Sequence, residues 1–221
     1  GFSVACTPFD EVSVDKVVAD GFDYLKVASA YSTDWPLLNR VVQANLPTVV
    51  STGGLRIRDL DRSVVFLTKH LSKLAVMHCV ALYPTSDQQL ALNRLDLLRE
   101  RFPGLPLGYS THERQDNYMA VALALAKGAH IFERHIAEED GAVPINAYSS
   151  TSAHLRAWAE SLRDAVAMTA GMDHTGWVNE AEQQAVRELR RGVYAKKPIE
   201  KGTSLDRDDV FFAIPVGENQ V

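Results

Sequence analysis

Short apolar runs rich in β-branched residues alternate along this chain with longer stretches in which apolar residues recur every three or four positions. The runs at 3–6, 24–28, 47–50, 74–80, 106–109 and 130–135 predict strands. Between them, Leu37, Leu38, Val41 and Val42 share one face over 35–45, and Ile57, Leu60, Val64, Leu67 and Leu71 mark a helix over 57–71. A further helix over 117–127 ends at Gly128, the residue type expected just past a helix C-terminus. Regular alternation of strand and helix means parallel strands joined by crossover helices, an α/β fold. A long helix over 152–170 follows, with Leu155, Trp158, Ala159, Leu162 and Val166 as its core-facing stripe. Gly171-Met172-Asp173-His174-Thr175-Gly176 then breaks the pattern like a linker, a polar helix follows it, and from Arg190 the chain reads as the start of a small β module turning at Lys201-Gly202. The expected organisation is a main domain over 1–171, a linker with a helix over 172–189 and the small module over 190–221.

Composition narrows the classes. The 221 residues are 46% hydrophobic and 23% charged, the proportions of a folded globular protein. A net charge of −5, from 23 basic and 28 acidic residues, provides no basic field for a phosphate backbone, so nucleic acid is not an expected partner. No apolar run approaches the roughly 20 residues of a membrane span. The two cysteines, Cys6 and Cys79, sit in apolar runs without metal-type spacing and read as reduced residues of a cytoplasmic protein. The chain opens at Gly1 already strand-like, without an initiator Met, which suggests that something precedes it.

In parallel α/β folds ligands bind beyond the carboxyl ends of the strands, and small polar or ionisable residues recur there. They are Thr7, Lys26, Ser29, Ser51, Thr52, Tyr83, Ser110, His112, Glu133 and His135. Because strand side chains alternate with a period of two, Ser110 and His112 point to one side, as do Glu133 and His135. Two neutral imidazoles from neighbouring strands make a partial metal site, with water or a substrate oxygen completing it. Lys26 inside an apolar run needs either a bound anion or an ion pair, for which Glu133 is the candidate. Ser51-Thr52-Gly53-Gly54 adds hydroxyl and backbone donors suited to an oxyanion. His78 reads either as a packed core residue or as a wall of the site, on the face opposite Cys79; His70 and His154 lie on helices.

These residues fall into ordered motifs: Thr-Pro-Phe-Asp at 7–10, Leu-Lys-Val-Ala-Ser at 25–29, Val-Val-Ser-Thr-Gly-Gly at 49–54, His-Cys-Val-Ala-Leu-Tyr-Pro-Thr at 78–85, Gly-Tyr-Ser-Thr-His at 108–112 and Phe-Glu-Arg-His at 132–135. Together they resemble the sialic acid synthase family. The resemblance implies a TIM (β/α)8 barrel, of which about six units, strands 3 to 8, are present, followed by the start of a small antifreeze-like (SAF) β module. It implies condensation of phosphoenolpyruvate (PEP) with a sugar aldehyde to a 2-keto-3-deoxy sugar acid, with release of phosphate, in a homodimer. Thr7, Lys26, Ser29, Ser51 and Ser110 would hold PEP; His112 and His135 would hold a divalent metal, usually Mn2+, with Mg2+ or Co2+ as alternatives. Glu133 would be the acid/base, Lys26 would stabilise charge, and Tyr83 would line the sugar site.

Three departures from the family pattern fall on the acceptor side: Ala81 where Asn is common, Val143-Pro144-Ile145-Asn146 where the family has Gly-Pro-Asp-His, and Ile214-Pro215 near the position of a sugar-binding Arg. The first two strands of the barrel have no counterpart, so the chain is expected to be a fragment or to be completed by another polypeptide. Two other readings stay open: a non-catalytic homologue that keeps PEP or metal binding, and an aldolase-type lyase with Lys26 as a Schiff base.

Overall fold

A computed structural model describes residues 1–139, 143–169 and 179–217. The chain forms two compact units, Gly1–Thr169 and Ala170–Val221. The predicted linker at 171–176, His174 included, and the last four positions lie outside the described residues.

The first unit repeats strand and helix in the predicted order: β1 (Ala5–Cys6), α1 (Glu11–Ala19), β2 (Tyr24–Val27), α2 (Trp35–Ala44), β3 (Thr48–Ser51), α3 (Ile57–His70), β4 (Leu74–Cys79), α4 (Arg94–Arg101), β5 (Leu107–Thr111), α5 (Met119–Ala126), β6 (Ile131–Arg134) and α6 (Ser152–Thr169). The six strands form one parallel sheet in sequential order. β2 and β6 stand four strands apart, about 19 Å in a flat sheet, yet Lys26 of β2 forms an ion pair with Glu133 of β6. The sheet is therefore curled, with these side chains meeting across its concave face. α1 and α4 escape the apolar period, and only α1 begins on a side-chain cap. For α1 the carboxylate of Asp10 accepts the Ser13 amide at 2.6 Å, and only Val14 and Val17 of its face are buried.

Alternation along each strand divides the sheet into two environments. Leu25, Val27, Val50, Val76 and Leu107 pack on the convex side against Leu37, Leu38, Leu60, Val64 and Leu67 of the helices. Gly128 follows α5 with a φ of +91°, the left-handed conformation its position predicts. α6 corrects one expectation: Trp158 and Ala165, seven residues apart, are the buried pair, whereas Val166 turns outward at 45% exposure.

The convex side also holds polar groups. Arg134 and Glu113 form a salt bridge of 2.8 Å with side chains 1% and 0% exposed. Tyr109 Oη donates to Glu113 Oε2 at 3.0 Å, and Arg134 donates to the Arg114 carbonyl at 3.0 Å and to Ser150 Oγ. His78 is a core residue on this side: its Nε2–H donates to the Leu90 carbonyl at 2.8 Å and its ring stacks on Tyr109. Its Nδ1 is buried without a partner.

In the second unit, α7 (Glu180–Glu188) precedes an antiparallel pair, β7 (Gly192–Ala195) with β8 (Val210–Ala213), in the register Gly192↔Ala213. Asn179 caps α7 through the Ala181 amide at 2.8 Å. Tyr194 and Phe211 pack at 5.7 Å across the strands. No helix among the described residues is long and apolar enough to cross a membrane.

Arg134→Ala leaves Glu113 buried and unpaired, and urea unfolding should show a loss of about 3–5 kcal/mol. A Glu113→Gln, Arg134→Met double variant, which removes both charges, should lose less than that single variant. Burial holds the His78 imidazole below its ordinary pKa. The unfolded chain therefore takes up a proton near pH 6.5 that the folded chain refuses, so stability falls as pH drops below that value. Measured between pH 7.5 and 5.5, His78→Phe should flatten the slope by up to about 1.4 kcal/mol per pH unit; an unaltered slope contradicts a neutral buried ring.

Candidate functional site

The strand registers stack the concave face in rows. Lys26, Val49 and Ala75 make one row; Ser51, Met77, Gly108 and Ile131 the next; Cys79, Ser110 and Glu133 the row nearest the carboxyl ends. Glu133 Oε1 accepts from Ser110 Oγ at 2.9 Å and pairs with Lys26 Nζ. Of the two partners open to Lys26, the structure forms the ion pair. Its side chains keep 19% and 36% exposure, so both charges remain accessible from the open end of the sheet.

Beside this triad the loop after β3 comes close to the start of the turn after β2. The Gly53 amide donates to Ser29 Oγ at 2.9 Å. A Cβ at Gly53 would stand 2.8 Å from Ser29 Oγ and 3.2 Å from Cys79 Sγ, so the contact requires glycine. Burial pushes the Cys79 thiol up, partly offset by hydrogen bonds to Ser29 and Ser110 and by Lys26. Ser51 is 1% exposed, and its Oγ is buried without a hydrogen-bond partner. A buried hydroxyl left unsatisfied next to a lysine and a glycine-lined turn fits an oxyanion acceptor of hydrogen bonds.

One residue beyond the strand ends stand the histidines. Because Ser110 pairs with Glu133 and Thr111 with Arg134, the same register sets His112 beside His135, with ring centroids 5.3 Å apart. His112 Nδ1–H donates to the Val80 carbonyl at 2.8 Å, which leaves the Nε2 lone pair free. Burial, the largest cause, lowers the pKa of both rings and so favours the neutral imidazole that metals bind. The donor set thus fits a divalent metal held by two imidazoles, with the remaining positions left to water or substrate. Among the described residues no cluster of three or more His, Cys, Asp or Glu is arranged for a metal.

Tyr83 lies 4.2 Å from His112 and 6.5 Å from His135, ring centroid to centroid. A second tyrosine, Tyr148, completes the cluster at 5.3 Å from both His135 and Tyr83. The structure therefore brings together Lys26, Ser110 and Glu133 as one group, Ser29 with Gly53 and Cys79 as a second, and Tyr83, His112 and His135 as a third. Ser51 lies on the same face, and Thr7 one residue beyond β1; no hydrogen bond among the described residues ties their hydroxyls to the others. Tyr148 was not visible as a site residue, since it lies outside every strand and motif. The one sequence signal for its loop is Asn146, whose carboxamide accepts the Tyr148 and Ser149 amides at 3.2 and 2.8 Å.

Comparisons with known proteins identify the chain's relatives. The NeuB family model matches residues 1–174. A crystal structure from Chromobacterium violaceum, of a protein named for spore coat polysaccharide biosynthesis protein E, superposes with a TM-score of 0.90 at 43% identity, covering 100% of this chain and 66% of that one. The N,N'-diacetyllegionaminic acid synthase of Legionella pneumophila is 27% identical over 221 residues, covering 97% of this chain and 61% of its own. The N-acetylneuraminate-9-phosphate synthase of Drosophila melanogaster is 35% identical over 127 residues, covering 57% of this chain and 34% of its own. The chain spans less than two thirds of the length of these two curated relatives. Motif order, strand register and a family match over most of its length lead to one assignment: this chain belongs to the NeuB family of sialic acid synthase-like proteins.

Proposed function

We propose that this chain carries the PEP- and metal-binding portion of a sugar-acid synthase, which joins PEP to a sugar aldehyde to give a 2-keto-3-deoxy sugar acid and inorganic phosphate. The observation that carries the reading is the convergence of Lys26, Ser110 and Glu133 beside His112 and His135 at one end of one concave face. Lys26 and the hydroxyls of Thr7, Ser29, Ser51 and Ser110 would hold the phosphate and carboxylate of PEP, a preorganised electrostatic role. His112 and His135 would hold Mn2+ or a similar ion, whose Lewis acidity polarises an aldehyde oxygen.

In the reaction, the PEP double bond opens as C3 bonds to the aldehyde carbon and the aldehyde π bond breaks onto oxygen. Water adds to C2 and gives one proton to Glu133, which passes it to the aldehyde oxygen to make a hydroxyl. The adduct collapses by breaking the bond from C2 to the bridging oxygen; phosphate leaves with the proton of the C2 hydroxyl, and C2 becomes the ketone. Lys26 directs its ammonium at a carboxylate, which favours anion binding over the desolvated amine that a Schiff base needs. The antifreeze-like reading of the second unit and a homodimer belong to the same proposal.

Phosphate release from PEP, assayed over a panel of aldoses with and without manganese, tests the reading. Release should require both an aldose and metal, and His112→Ala should reduce it to background. Calorimetry should detect PEP binding that Lys26→Ala weakens by at least tenfold, roughly the effect of one lost charged hydrogen bond. Binding of PEP and metal without turnover under any condition would identify a non-catalytic homologue; the departures at Ala81, Ile145 and Asn146 point instead to an acceptor other than N-acetylmannosamine. Absence of PEP binding would remove both.

A further inference from the structure

The two imidazoles stand just past the point where the sheet stops holding their strands together. The pairing of β5 with β6 ends at Thr111 opposite Arg134, and beyond it the two backbones turn to different neighbours. The His112 carbonyl accepts the Thr85 amide at 2.8 Å on one side, and the His135 carbonyl accepts the Ser150 amide at 2.8 Å on the other. Two imidazoles that share one ion must nonetheless keep their spacing to within about 0.5 Å.

The Arg134 side chain bridges this gap from the convex face. Its Nη1 donates to Glu113 Oε1 at 2.8 Å, its Nη2 to the Arg114 carbonyl at 3.0 Å and its Nε to Ser150 Oγ. Glu113 and Arg114 directly follow His112, and Arg134 itself directly precedes His135. Ser150 is the residue whose amide holds the His135 carbonyl. All three guanidinium nitrogens are therefore spent on the two histidine-bearing segments and the loop beside them. The clip is itself held in place: Tyr109 Oη donates to the other oxygen of Glu113 at 3.0 Å, and the Trp158 ring covers the guanidinium, its centroid 5.9 Å away. With the Arg134 and Glu113 side chains 1% and 0% exposed, no water competes for these contacts.

We propose that Arg134 is a positioning residue for the histidine pair: its guanidinium clips the segment after His112 to the exit of β6 and so sets the spacing of the two imidazoles. The inference rests on the synthase reading, and in particular on a divalent ion held by His112 and His135. It predicts a split between the two ligands. The residues proposed for PEP, namely Thr7, Lys26, Ser29, Ser51 and Ser110, stand on or beside β1, β2, β3 and the paired length of β5, which the clip does not hold. Loss of the clip should weaken metal binding and spare PEP.

Binding of MnCl2 alone is measured on the full chain by calorimetry and by loss of the free Mn2+ signal in electron paramagnetic resonance, with PEP binding measured in parallel without metal. Arg134→Lys keeps a cation beside Glu113, but an ammonium cannot present a fork to Glu113, Arg114 and Ser150 together. Mn2+ should bind this variant roughly tenfold more weakly, the lower end for removing a group that supports a metal ligand, while PEP affinity stays unchanged. The Glu113→Gln, Arg134→Met double variant leaves no buried charge; it should show the same split and decides the matter where Arg134→Lys does not fold. Undiminished Mn2+ affinity in a folded variant overturns the inference and leaves the synthase reading standing. So does a parallel fall in Mn2+ and PEP affinity, the mark of a merely structural role. If the unaltered chain fails to bind PEP or Mn2+, or binds Mn2+ undiminished after His112→Ala, the synthase reading fails and the inference with it.

Discussion

The structure depends on a single register, the pairing of β5 with β6. Ser110 opposite Glu133 and Thr111 opposite Arg134 decide which side chains face the concave surface and which face the helices. Because side chains alternate, a slip of β6 by one residue would turn Glu133 and His135 into the helical layer and Arg134 into the site. The Arg134–Glu113 salt bridge opposes such a slip. It has its full set of partners only when Arg134 lies outward beside Thr111, with Tyr109 and Ser150 in reach. A buried pair of this kind adds little net stability over a well-packed apolar alternative, but breaking it is costly, which is the property needed to fix one register.

β6 carries a second connection of opposite character on its other face, across to β2. Glu133 meets Lys26 where both side chains are partly exposed, against 1% and 0% for Arg134 and Glu113. An ion pair in contact with water contributes little and rearranges readily. In the proposed reaction, an incoming dianion can take Lys26 from Glu133, freeing the carboxylate to handle a proton just as substrate arrives. The convex pair holds the scaffold still, and the concave pair is available to exchange partners.

Most of the strand order, and the sidedness of the site, was legible because both follow from a period of two and from polar residues at the ends of apolar runs. Lys26 and Glu133 are conspicuous by their charge within such runs, and matched spacing revealed His112 and His135. What escaped has definite physical causes. α1 and α4 bury only two residues each, too few to leave an apolar stripe; α1 starts on the Asp10 cap and α4 is held by the packing of Leu95 and Leu98. In α6 the predicted stripe holds at Trp158, buried, and at Leu155, Ala159 and Leu162, half-buried, and fails only at Val166, in whose place Ala165 is buried. Arg134 and Glu113 are ordinary charges in sequence; their burial follows from alternation combined with a pairing that no local pattern specifies.

Tyr148 was hidden for a related reason: it stands on a loop, where no strand period marks it. The polar residues suited to PEP and metal stand on strands or immediately past them, where register fixes their geometry. The departures at Ala81, Ile145 and Asn146 lie in the loops after β4 and β6, which can change without moving the strands. Asn146 illustrates the exchange. It stands where the family pattern has a histidine, and its carboxamide now organises its own loop so that Tyr148 faces His135. The loop is thus held by its own carboxamide with Tyr148 beside His135, while the row of Cys79, Ser110 and Glu133 keeps its register through strand pairing alone.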